Sequence, residues 1–119
     1  MLTIYEYPTC STCRKAKKLL IENNIEATYF NVKEKTPTVA EFKKIIKTFD
    51  LPLKKLFNTS GLVYKELGLK DKLETLSLDE ALTLLHENGM LIKRPLAFDL
   101  KNDILLLGFK EETWEKALL

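Results

Sequence analysis

Arginine is scarce in this 119-residue chain. Of its nineteen basic residues, seventeen are Lys and only Arg14 and Arg94 are Arg. Seventeen acidic residues reduce the formal charge to +2, so the chain is not built as a dedicated binder of nucleic acid or anionic membrane. Long apolar runs are missing as well. The longest, Ile104-Leu105-Leu106-Leu107, is of strand length, and no segment reads as a membrane span. The first residues, MLTIYEYP, lack the basic stretch and apolar core of a signal peptide, and the expected location is cytoplasmic. Glycine and proline, four of each, are scattered without a linker or low-complexity stretch, and a single domain is expected over residues 1–119.

Cysteine is limited to two residues and histidine to one, His86. That is short of the four ligands a structural zinc site takes, so no metal is expected. In a reducing compartment two cysteines are reactive or buried more often than they form a structural disulfide.

What is present is an ordered alternation of elements. Leu2–Tyr7 alternates as a strand and is broken at Pro8-Thr9. A helix is expected over Ser11–Asn23 and a second strand over Ala27–Val32. Thr38 stands three residues before Glu41, the capping-box spacing, ahead of a helical period in Val39, Phe42, Ile45, Ile46 and Phe49. Short helices follow from Pro52 to Phe57, over Val63–Leu67 and over Lys70–Glu74. Ser77 caps another that runs to Glu87, with Leu78, Ala81, Leu82 and Leu85 as its apolar face. Leu96–Leu100 and Ile104–Gly108 read as a hairpin, and Glu111–Leu118 as a closing helix. The order implies an α/β fold: a thioredoxin-like mixed sheet flanked by helices, with a helical insertion at about residues 36–90 between the second and third strands.

Cys10 and Cys13 stand three apart at the mouth of the first helix. That spacing brings two Cα atoms within the disulfide range of roughly 4.4–6.8 Å. Helical phase puts Cys13 on the core face with Ala16 and Leu20. Cys10 is left at the helix start, where free N–H groups and the positive dipole end stabilise a thiolate, with Arg14 and Lys15 nearby. Cys10 then attacks and Cys13 resolves the adduct by forming the internal disulfide. The competing readings are zinc binding, a structural disulfide and two inert buried thiols; the last suits Cys13 but not Cys10. Arg94, held extended by Pro95 at the entrance to the third strand, is a candidate to clamp an anion or polarise a sulfur adduct. The alternative is a solvated Arg at a loop end.

The run Tyr7-Pro8-Thr9-Cys10-Ser11-Thr12-Cys13-Arg14-Lys15-Ala16, with Lys93-Arg94-Pro95 further on, resembles the family shared by glutaredoxin-coupled arsenate reductases and Spx-type redox regulators of Gram-positive bacteria. The resemblance implies that Cys10 is the redox-active thiol, Cys13 its disulfide partner, Arg94 the oxyanion or switch arginine and Pro95 a cis-proline. It makes Ser11, Thr12, Arg14, Pro95 and, in the insertion, Asn58 candidates for holding substrate. It also implies no bound cofactor: electrons come from a thiol reductant, whether thioredoxin, glutaredoxin with glutathione, or bacillithiol. The implied activity is thiol–disulfide oxidoreduction, with arsenate or another small molecule as substrate. The alternative is a redox-sensing regulator that binds the RNA polymerase α subunit. Two departures stand out. Cys13 replaces the serine of the family's arsenate reductases, and no Arg beyond 14 and 94 is present for the oxyanion set those enzymes use.

Overall fold

The computed structural model describes all of residues 1–119, and the chain divides into two compact units. Met1–Asn31 and Arg94–Leu119 make up the first, Val32–Lys93 the second.

The first unit holds the sheet. Strand β1 (Leu2–Glu6) leads into helix α1 (Ser11–Glu22) and strand β2 (Ala27–Asn31). After the second unit come β3 (Leu96–Asp99), β4 (Ile104–Leu107) and the final helix α6 (Glu111–Leu118). The strand order is β2-β1-β3-β4, with β1 parallel to β2 and antiparallel to β3, and β4 antiparallel to β3. This is the mixed sheet with flanking helices that the element order implied.

Alternation along β1 sends Leu2 and Ile4 to one face, where they pack with Ala16 and Leu20 of α1, Ala97, Leu106 and Trp114. Tyr5, on the opposite face, stacks with Phe30 at 5.1 Å and with Phe98 at 6.2 Å between ring centroids. The Trp114 ring meets Phe109 edge-on, and its Nε1–H donates to the Gly108 carbonyl at 2.9 Å.

Both strands of the hairpin stop one residue short of expectation, for local reasons. Leu100 opens a 3₁₀ turn over Leu100–Asn102, held by the Asp99 carboxylate, which accepts from the backbone and side-chain N–H groups of Asn102. Gly108 turns out of β4 at φ +68°, a conformation that favours glycine.

The second unit is helical: α2 (Val39–Phe49), α3 (Leu62–Glu66), α4 (Leu69–Lys72) and α5 (Leu78–Glu87), with 3₁₀ turns over Leu53–Leu56, Leu73–Thr75 and Gly89–Leu91. Thr38 and Glu41 form the expected capping box, and Ser77 and Glu80 form a second. Lys43 of α2 pairs with Asp79 of α5. Phe57 and Ile92 form an antiparallel bridge flanked by two bonds, Asn58 N–H to Leu91 O at 2.7 Å and Lys93 N–H to Leu56 O at 2.8 Å. Leu78 departs from its expected place on the buried face. It is the first residue of α5 and is exposed, while Ala81, Leu82 and Leu85 are buried one turn on. No helix of the chain is long and apolar enough to cross a membrane.

Candidate functional site

The site begins where β1 ends. The Cys10 N–H donates to the Tyr7 carbonyl at 3.0 Å across a turn through Pro8-Thr9, with Pro8 presetting φ at the second position. The turn delivers Cys10 to the N-cap of α1 in extended conformation. Ser, Thr, Asp and Asn are the usual side chains there. Here a thiol takes that role: Cys10 Sγ accepts the Cys13 N–H at 3.4 Å. Its second neighbour is Thr12 Oγ1 at 3.0 Å. No acidic residue lies in the first turn of α1 to oppose a negative sulfur.

Burial acts to raise the Cys10 thiol. The hydrogen bonds with the Cys13 and Thr12 side chains, the Cys13 N–H and the charge of Arg94 more than offset it, so Cys10 titrates below its ordinary value of 9.0. Cys13, 1 % exposed on the core face of α1, goes the other way. Burial is the largest cause, the hydrogen bond and charge of Cys10 add to it, and the thiol is pushed up to about 12. A backbone hydrogen bond from Tyr7 and the charge of Arg94 oppose that rise. Two neighbouring thiols thus differ sharply in their readiness to ionise, as an attacking and a waiting sulfur would. Both are free.

Arg94 is half-buried, and its guanidinium carbon lies 5.9 Å from the centroid of the Tyr7 ring. The peptide from Arg94 to Pro95 is cis; Pro95 is buried and its carbonyl accepts the Gly108 N–H at 2.9 Å. Thr12 and Cys13 thus bond to Cys10, and the charge of Arg94 acts on both thiols. Ser11 and Arg14 are exposed in the same first turn, and Arg14 makes no ion pair. Asn58 belongs to the second unit, where its Oδ1 accepts from the Ser60 hydroxyl at 3.4 Å and its carbonyl from the Gly61 N–H at 3.0 Å. Sequence reasoning missed Tyr7 as a member of the site. Tyr7 opens the run that carries the family resemblance, but nothing local there names its partner, which lies far along the chain. No group of three or more His, Cys, Asp and Glu side chains is placed to hold a metal ion.

A cysteine pair at the mouth of α1, beside a mixed four-stranded sheet flanked by helices, defines a redox protein of thioredoxin-like fold. The chain belongs to the ArsC family, whose model matches residues 5–117. It is 49% identical over 115 residues to the Bacillus subtilis protein YusI, covering 97% of this chain and 96% of that one. The crystal structure of a possible arsenate reductase from Streptococcus mutans is 44% identical with a TM-score of 0.86, and the match covers 97% of this chain and 98% of that one. The global transcriptional regulator Spx 2 of Bacillus anthracis is 32% identical over 118 residues, 99% of this chain and 87% of the regulator.

Proposed function

We propose that this ArsC-family protein is a cytoplasmic thiol–disulfide oxidoreductase that cycles between a Cys10/Cys13 dithiol and a disulfide. The observation that carries the reading is the placement of two free thiols, Cys10 Sγ capping α1 and accepting the Cys13 N–H at 3.4 Å while Cys13 is buried on the core face. The lowering of Cys10 and the raising of Cys13 accord with it. Against a small disulfide, the Cys10 thiolate attacks one sulfur, forming a mixed disulfide and expelling one thiolate. Cys13 then loses its proton and attacks Cys10 Sγ, closing the internal disulfide and releasing the second thiolate. Arg94 draws anionic substrates and leaving groups toward Cys10, with Thr12 and the first turn of α1 lining the approach. A thioredoxin, glutaredoxin with glutathione, or bacillithiol returns the dithiol state. Arsenate is one candidate substrate, supported by the likeness to the Streptococcus mutans protein. With one Arg acting on the cysteines, the clamp for a tetrahedral dianion is thin.

The test is the reaction with a small disulfide, read by mass spectrometry. Wild type should lose two hydrogens and release both thiols; Cys13→Ser should stop at the mixed disulfide. Unchanged reactivity in Cys10→Ser would overturn the assignment. Arsenate-dependent NADPH oxidation, coupled in turn to the thioredoxin and glutaredoxin systems, separates arsenate from other substrates.

A second reading is supported by the similarity to Spx 2 along nearly the whole chain. In it, the same disulfide alters a surface that binds the RNA polymerase α subunit. Pull-down of that subunit under oxidising and reducing conditions separates the readings. Absence of binding in both removes the regulator.

A further inference from the structure

We propose that Tyr7 is a positioning residue, whose ring holds the Arg94 guanidinium so that its charge acts on the cysteine pair. The inference rests on the proposed thiol chemistry of Cys10 and deepens it by identifying what sets the arginine in place.

Tyr7 is anchored by the turn that also delivers Cys10, because its carbonyl accepts the Cys10 N–H at 3.0 Å. The position of its ring is thus tied to that of the attacking sulfur. Arg94, the first residue of the second stretch of the first unit, has its guanidinium carbon 5.9 Å from the ring centroid, within cation–π range. Its Nε is shielded from solvent, so the head group is not a freely sweeping surface charge. An arginine side chain has many rotamers, and fixing one costs entropy that an aromatic platform offsets. The Tyr7 backbone and the charge of Arg94 both act to lower the Cys13 thiol, so the residue that carries the ring also bears on the resolving sulfur. A Lys at position 94 would keep the charge but lose the planar, delocalised cation that suits an aromatic face.

The test compares alkylation of Cys10 by neutral iodoacetamide and by anionic iodoacetate, across pH, with the modified site read by mass spectrometry. The ratio of the two rates reports positive charge held at the sulfur and requires no redox turnover. Tyr7→Leu should lower the iodoacetate-to-iodoacetamide ratio by roughly two- to fivefold and move the alkylation profile to higher pH. Arg94→Leu should do the same or more, and Tyr7→Leu should add nothing in its presence. Tyr7→Phe and Tyr7→Trp, which keep an aromatic face, should retain wild-type ratios and so also guard against a folding artefact in Tyr7→Leu. If Tyr7→Leu leaves ratio and profile unchanged while Arg94→Leu shifts both, Tyr7 does not position the arginine. Loss in Tyr7→Phe equal to that in Tyr7→Leu also overturns the proposal, since the hydroxyl rather than the ring would be responsible. If wild-type Cys10 ionises as an ordinary thiol and Arg94→Leu changes nothing, it is the underlying reading of the site that fails.

Discussion

Thr12 places its hydroxyl oxygen 3.0 Å from Cys10 Sγ, one of the hydrogen bonds that hold this thiol below its ordinary ionisation range. Thr12→Val removes the hydroxyl and keeps the branched shape. The Cys10 profile should move to higher pH, and alkylation at neutral pH should slow by roughly three- to tenfold, the size of one ordinary hydrogen bond. Iodoacetamide kinetics from pH 5 to 10 check this. An unmoved profile would leave the helix end and Arg94 as the remaining stabilisers.

Cys13 gives a prediction about stability. Its thiol is pushed from 9.0 up to about 12 in the folded state, so folding favours the protonated form. Its contribution is fully present below the unfolded value and is lost as pH rises from there toward the folded value. Between about pH 9 and 12 the reduced protein should lose up to about 1.4 kcal/mol per pH unit from this group. Cys13→Ala should lack that component. Urea unfolding of both proteins, kept reduced at pH 8 and 10.5, measures the difference.

Trp114 ties α6 to the sheet. It is 1 % exposed, packs in the cluster of Ile4, Leu20 and Leu106, and donates Nε1–H to the Gly108 carbonyl. Trp114→Phe should cost about 1–3 kcal/mol, because the carbonyl loses its donor and a gap opens. Trp114→Ala should cost about 3–5 kcal/mol. Denaturant midpoints at constant slope would register both, and a cost below about 0.5 kcal/mol for Trp114→Ala would contradict the packing described.

Gly89 separates two kinds of helix-end residue. A Cβ there would stand 1.9 Å from the Val32 carbonyl oxygen, a backbone atom that cannot swing aside. Gly89→Ala should therefore destabilise more than Ser77→Ala, which removes one cap at about 1 kcal/mol. Thermal unfolding of the two variants side by side gives the comparison.

Most of the sheet and the longer helices were legible because their information is local. The helical phase of Cys13, Ala16 and Leu20 predicts the buried face of α1, and all three are buried. Thr38 and Glu41 announce their own capping box. The cysteine pair was legible for the same reason, since three residues at a helix start determine their own geometry. Leu78 was misplaced because periodicity does not tell whether the first turn of a helix reaches the core. Gly89, two residues past the expected end of α5 at Glu87, carries no local sign of its close packing. Its contact with Val32 joins positions far apart in the chain, as does the contact of Tyr7 with Arg94. Such meetings leave no periodic trace in the sequence.

The sulfur of Cys10 also closes the open end of α1, and that has a thermodynamic side. In the proposed cycle, oxidation turns a negative acceptor into a neutral one, so the Cys13 amide and the positive end of the helix lose their best partner. The helix therefore favours the reduced protein. A dithiol stabilised in that way has a raised reduction potential, and its disulfide is the more oxidising member of the couple. Electrons should pass readily into this protein from a reducing partner and leave it only for a stronger oxidant.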